Sequence, residues 1–212
     1  MGDPAIENGG RREEILAAAR NIFAHYGFRR AGLEEIAREA GISRTALYHH
    51  FRNKEDIFRA TCDGIYSRAI ANAERAVADA ATLDAQLVGA LEAQIGWIYR
   101  LVSNSRHGFE IVDETSRLCS DITAAATKRA AKLLARVLRE AEDAGKIATA
   151  RAGFTPESAA NFLLLCAHGL QGPPSHAPSA SQYARRLADL VRLTVAGLGG
   201  ETNGVDSSQK ER

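Results

Sequence analysis

The chain has 212 residues and nearly balanced charge, 27 Lys and Arg against 26 Asp and Glu, for a formal net of +1. That length can bury one large or two small cores, and the balance excludes a global basic field as the means of meeting nucleic acid, so any such signal has to be local. Cys62, Cys119 and Cys166 are odd in number and far apart, against a disulfide framework and for a reducing compartment; with no apolar leader and no uncharged run of roughly 18 to 20 residues, a cytoplasmic protein without membrane contact is expected.

Residues 1–10 lack periodicity and are expected to be disordered. Helix 1 is predicted over 11–26, where Ile15, Ala19, Ile22 and Tyr26 recur at helical spacing and Gly27 offers a left-handed stop. Helix 2, over 33–40, turns Leu33, Ile36, Ala37 and Ala40 inward and ends at Gly41. A hydroxyl at Ser43 then caps helix 3, because its oxygen can accept from first-turn N–H groups that lack a partner. Leu47 and Phe51, four apart, face inward; Arg44, Thr45, Tyr48, His49 and His50 face out, a set of donors and flat rings with no acid among them. Two short helices joined through a glycine, with helix 1 as the third wall of a small core, form the helix-turn-helix arrangement.

The local charge agrees. From Phe28 to Lys54 there are six bases (Arg29, Arg30, Arg38, Arg44, Arg52, Lys54) against three acids (Glu34, Glu35, Glu39), a net of +3, and from Gly41 to Lys54 no acid at all. Base edges and phosphates offer mostly acceptors, so an exposed face of donors suits the major groove.

Helix 4 starts at an Asn53 cap and is predicted to reach about Ala80, long enough to serve two domains and to act as a lever between them. Helices 5 (83–102), 6 (108–118), 7 (122–144), 8 (156–171) and 9 (182–198) follow, and no strand is expected. Thr155-Pro156 is a cap followed by an N1 proline. Helix 8 is apolar nearly all round, so it must be covered on more than one side. Leu187 is placed with the seam on helix 9, and residues 199–212 are polar and expected to be disordered. The fold class is all-α, about nine helices: a helix-turn-helix domain (11–56) joined by the long helix to an effector-binding and dimerisation domain (57–198).

The N-terminal third resembles the TetR family of bacterial transcriptional regulators. The residues that carry the resemblance are Ile15, Ala19 and Phe23, Gly27-Phe28, Ile36-Ala37, Ala40-Gly41-Ile42-Ser43, Leu47-Tyr48-His49-His50-Phe51 and Lys54-Glu55. The resemblance implies a homodimer through helices 8 and 9, a near-palindromic double-stranded DNA operator, and a small-molecule effector held among helices 4 to 8. It further implies phosphate contacts by Tyr48 and Lys54, base contacts by Arg44 and Thr45, and a backbone contact by His50, and it makes repression the expected outcome. Before helix 2 the chain departs from the family's usual hydroxyl cap, with Ala31, Gly32 and Leu33 instead.

Candidate effector contacts are Tyr66, Gln94, Trp97, Phe109, Asn161 and His168. Gln94 is the most telling, since it lies one turn from Trp97 on an apolar stripe and a buried amide needs partners, which backbone, seam or ligand would each supply. Cys119 reads as a packing residue, with a redox sensor as the other reading. His49 and His50 point about 100 degrees apart on a helix and cannot easily share an ion, so no metal is expected. No phosphate loop or nucleophile elbow is found, and Glu110, Asp113 and Glu114 read as a solvated face, so neither enzyme nor cofactor is expected. The competing reading is an all-helical carrier or enzyme whose N-terminal helices are only structural.

Overall fold

Nine helices and no strand form among the described residues of the computed structural model, which are 4–103, 105–172 and 177–200. They are α1 (Pro4–Arg30), α2 (Leu33–Glu39), α3 (Arg44–His50), α4 (Lys54–Asp79), α5 (83–103), α6 (Gly108–Leu118), α7 (Ser120–Asp143), α8 (Pro156–Gly169) and α9 (Ala180–Gly197). A single 3-10 turn, Thr149–Ala152, follows α7. The helix starts at Pro4, inside the segment expected to be disordered; residues 1–3 of that segment and 201–212 of the tail lie outside the described residues.

Two compact units arise, Met1–Arg68 with Ile98–Ala126 and Ala69–Trp97 with Thr127–Arg212, so α4, α5 and α7 each contribute to both. The boundary expected after residue 56 therefore falls elsewhere, because α6 and the neighbouring ends of α5 and α7 pack with the helix-turn-helix.

In the N-terminal unit the predicted stripe of α1 is buried up to its last member: Ile15 and Ala19 are fully covered, and Leu16, Ile22 and Phe23 nearly so, whereas Tyr26, just before the kink at Gly27, is 43% exposed. They meet Ile36, Leu47, Phe51 and Ile57 in one core, each large side chain contributing about 1.5 to 3 kcal/mol on burial. Phe23, Phe28 and Phe58 form an aromatic trio with centroids 4.9 to 5.8 Å apart. Gly27 does end the first straight run of α1, but with φ 76° and ψ 169°, a region open essentially to glycine alone, after which Phe28 to Arg30 make one more turn.

In the second unit α9 packs along α5 and against α8. Thr155 caps α8 in a reciprocal capping box with Ser158, and Ser179 caps α9 likewise with Gln182, three residues before the predicted start. Tyr183, Leu187, Val191 and Val195 of α9 are buried within the protomer. Leu187 is thus core, a correction to its placement in a dimer seam. Helix α8 is covered on one side only: Ala160, Leu163, Leu164 and Ala167 are buried, whereas Asn161, Phe162, Leu165 and His168 form an exposed stripe.

Helix α5 departs from regular α-geometry. Between α-helical Leu83–Leu91 and Trp97–Ser103 lies a π-helical segment, Glu92–Gly96. The extra residue in that turn rephases the helix, so Gln94, Ile95 and Tyr99 are buried while Leu101 is exposed.

Candidate nucleic-acid interface

The surface around α3 is built from two turns. At the end of α2, Gly41 takes φ 66°, Ile42 N donates to Ala37 O at 3.0 Å and Gly41 N to Arg38 O at 3.1 Å. This pair of bonds is the Schellman arrangement, which needs a residue free to be left-handed, and it aims the chain into the second helix. Ser43 Oγ then accepts from Ala46 N at 3.1 Å, as its position predicted. Leu47 and Phe51 are buried, and the polar side chains before and between them are left outward: Ser43, Arg44, Thr45, Tyr48 and His49 are exposed and His50 is half-buried. Arg44 lies over the Tyr48 ring, Cζ 5.7 Å from its centroid, and donates to the Tyr48 hydroxyl at 3.3 Å. That contact across one helical turn limits the rotamers of both side chains before any ligand arrives.

The missing hydroxyl before α2 is visible. Gly32 is the N-cap and supplies no side-chain acceptor, and the Glu35 carboxylate folds back over it, 2.1 Å from where a Cβ would stand. At α4 the cap is ordinary, Asp56 N donating to Asn53 Oδ1 at 2.8 Å.

Lys54 is placed differently from the expectation. Its Nζ donates to the carbonyls of Phe28, Arg29 and Ala31 at 2.8, 3.2 and 3.0 Å and sits 4.6 Å from the Phe28 ring centroid. An ammonium has three hydrogens, so a phosphate contact here requires giving up one of these bonds. The lysine fastens the end of α1 and its link to α2, completing carbonyls that a helix end leaves unpaired. Lys54→Met is therefore expected to lower unfolding stability by about 2 kcal/mol, a few tenths to one per carbonyl after rehydration. A Lys54→Met protein with unchanged denaturant midpoint and weakened DNA binding would show a phosphate contact and nothing more.

Helix α6 supplies residues that sequence patterning misassigned. Glu110 Oε1 accepts from Arg29 N at 2.7 Å, and Glu114 accepts from Arg29 Nε at 3.4 Å and Arg117 Nε at 2.8 Å. Arg117 continues to Glu55 at 3.3 Å. Glu114 is buried, not solvated, and the hydrogen bonds from Arg117 and then Arg29 hold its carboxyl below the usual range. The helix turns Glu110 and Glu114 inward beside Ile111 and Leu118, while Asp113, as expected of a solvated acid, is exposed together with Phe109 and Val112. Only the proximity of Arg29 and of the free N–H groups at the kink, both tertiary facts, reveals why.

The six predicted effector contacts are divided between the two units. Tyr66 and Phe109 belong to the N-terminal unit and the other four to the second. Tyr66 is half-buried, and burial, followed by Cys62 and Cys119, pushes its phenol up to about 12, so it stays a neutral donor. Gln94 is buried on the π-helical turn, and its Oε1 has no hydrogen-bond partner among the described residues. Trp97 is half-buried, Phe109 is 62% exposed, and Asn161 and His168 lie on the bare stripe of α8. Among the described residues no group of three or more His, Cys, Asp or Glu side chains could hold a metal, and no helix is long and apolar enough to cross a membrane.

Known proteins share this arrangement. The family described as bacterial regulatory proteins, tetR family, matches residues 15–61, which run from α1 into α4. The HTH-type transcriptional repressor BepR of Brucella suis is 30% identical over 210 residues, spanning 91% of this chain and 93% of BepR. The chain belongs to the TetR family. Other TetR-family matches are shorter: the transcriptional activator FasR of Mycolicibacterium smegmatis is 26% identical over 118 residues, 56% of this chain and 52% of FasR. The repressor KstR2 of Rhodococcus jostii is 34% identical over 95 residues, 43% of this chain and 47% of KstR2. The chain thus spans about half the length of these two relatives. Among solved structures, SmeT, the repressor of the Stenotrophomonas maltophilia multidrug efflux pump SmeDEF, superposes with a TM-score of 0.60 at 26% identity, covering 87% of this chain and 88% of SmeT. A TetR-family regulator from Mesorhizobium loti gives 0.67 at 20% identity over 89% of this chain and 96% of its own, which speaks for the fold. The TetR-family match covers the elements that seat α3.

Proposed function

We propose that the protein is a homodimeric, sequence-specific DNA-binding transcriptional regulator, a repressor that leaves a near-palindromic operator when a small-molecule effector binds. The observation that carries this reading is the acid-free outer face of α3, with Arg44 pre-stacked on Tyr48 beside Ser43, Thr45, His49 and His50. Placed in the major groove, that face meets acceptors with donors. Two such helices about 34 Å apart, or at a related spacing, match half-sites one helical turn apart.

The dimer is assigned to α8 and α9. Phe162 and Leu165 on α8 are 48% and 70% exposed and Leu193 on α9 is 75% exposed, a bare apolar surface of the kind that marks an interface. Such a regulator acts in the cytoplasm. The effector weakens operator binding only by its differential affinity for two dimer states, typically about 1 to 3 kcal/mol. Gln94, buried with an unmet acceptor, is the polar contact we assign to it.

The test is a gel-shift titration against the DNA flanking the protein's own gene. Arg44→Ala is expected to lose roughly 5- to 150-fold in operator affinity, the equivalent of one good base contact at about 1 to 3 kcal/mol, and to tolerate base changes that the parent rejects. Equal affinity for operator and random DNA, weak and steeply salt-dependent, would instead favour the carrier or enzyme reading.

A further inference from the structure

Cys62 comes from α4, and Cys119 is the single residue between the end of α6 at Leu118 and the start of α7 at Ser120. Both lie in the N-terminal core cluster, 6% and 0% exposed, and each thiol is the neighbour that most perturbs the other's titration. Thr115, one turn earlier on α6, brackets the pair: its Oγ1 is 3.9 Å from Cys62 Sγ and its carbonyl accepts from Cys119 N at 2.8 Å. From the other side Arg59 of α4 donates to Leu118 O and, in a fork, to Asp121 Oδ1 and Oδ2 at 2.8 and 2.7 Å. Helix α4 therefore grips the α6–α7 joint on both sides of Cys119, with both cysteines in the core cluster beneath the grip.

We propose that Cys62 and Cys119 are a dithiol that peroxide-class oxidants convert into an intramolecular disulfide between α4 and the α6–α7 joint, and that this bond weakens operator binding. The disulfide stands independently of the functional reading above; its effect on DNA rests on that reading.

The two thiols differ in the way a sequential oxidation needs. Cys119 is held below its ordinary range, first by the hydrogen bond from Cys62 and then by the Arg59 guanidinium, so it is the thiolate that attacks. Cys62 is pushed up by the hydrogen bond to Cys119 and by burial, so it keeps its proton until the second step. Cys119 sulfur attacks one peroxide oxygen: an S–O bond forms, the O–O bond breaks, and the departing hydroxide takes up a proton as water. Cys62 sulfur then attacks the sulfenic sulfur, the S–S bond forms, the S–O bond breaks, and the hydroxide leaves with the Cys62 proton as a second water. Two thiols are oxidised and one peroxide is reduced to two waters.

Access follows from the joint. Cys119 sits where two helix ends meet, and the Arg59–Asp121 pair closing it is exposed, 40% and 63% for the two side chains. Opening that pair admits a small oxidant. The consequence for DNA follows from geometry: a disulfide holds its sulfurs about 2.05 Å apart, well inside non-bonded contact, so α4 and the joint are drawn together. Helix α4 begins with Lys54, which fastens the end of α1 and its link to α2, so the shift reaches the seat of α3.

The experiment uses the full-length reduced protein, treated with hydrogen peroxide and then alkylated. Non-reducing digestion is expected to yield a peptide joining residues 62 and 119 with the mass of two hydrogens lost. Operator affinity in the same samples should fall at least about fivefold and return on reduction. Either Cys62→Ser or Cys119→Ser, with the alanine versions in reserve should serine disturb the core, should abolish both effects, whereas Cys166→Ser should abolish neither. Asp121→Ala should speed formation of the linked peptide several-fold. No 62–119 peptide under peroxide that oxidises Cys166 overturns the dithiol; a linked peptide with unchanged operator affinity overturns the switch. Should the reduced protein show no specific operator at all, the functional reading fails, and the peptide map still decides the dithiol by itself.

Discussion

Gly27→Ala should lower the stability of the N-terminal unit by about 3 to 5 kcal/mol, with a fall in Tm of roughly 10 °C or more. Two costs add. The backbone at φ 76° and ψ 169° lies where an L side chain is strained, worth about 1 to 3 kcal/mol. A Cβ there would also stand 2.4 Å from Glu110 Oε2. The carboxylate must then move and release Arg29 N, a charge-assisted bond worth about 1.5 to 3 kcal/mol. Adding Glu110→Ala separates the two terms, because it removes the collision and leaves the strain, so the double variant should lose less than the sum of the singles. Thermal unfolding of the four proteins decides the matter, and an unchanged Tm for Gly27→Ala would falsify the account of the kink. Operator binding should weaken in parallel, since the kink orients the end of α1 that Lys54 fastens.

Leu165→Asp and Leu187→Asp should fail in different ways. Leu165 is 70% exposed, so a carboxylate there costs the protomer little and acts on association alone. Sedimentation should find a folded monomer, and operator affinity should fall by at least about 100-fold, as expected when two half-site contacts are no longer linked. Leu187 is fully buried, and a carboxylate in its place is an unpaired charge in the core, costing several kcal/mol against a total stability of about 5 to 15. That variant should be unfolded or insoluble. A Leu165→Asp protein that still sediments as a dimer at micromolar concentration would remove the seam from this face of α8.

Much of the N-terminal unit was legible in residue order because its signals are local. Ser43, Gly41 and Asn53 act on backbone groups within a few residues of themselves, and the structure returns each in its predicted role. Ile15, Ala19, Leu47 and Phe51 fall inward because helical spacing puts them on one face. The helix starts at Thr155 and near Ser179 depend on equally local chemistry.

The departures share a different cause. Lys54 is a basic residue at a helix start, and nothing nearby in the chain says that its ammonium will close carbonyls of residues 28, 29 and 31. Glu114 is an acid on a polar helix until Arg29 is folded beside it. Gln94 and Trp97 share a stripe until one π-helical turn rephases α5, leaving the first buried and the second half-buried. Leu187 and Leu165 are both leucines on apolar helices, and only packing against α5 separates core from bare surface. Local backbone chemistry and periodicity therefore specify that this chain is all-helical and that α3 presents donors. Which polar groups lock that helix in place, and which apolar groups remain free for a partner, depends on contacts between residues far apart in the chain, because a polar or apolar side chain acquires its role only from what the fold sets against it.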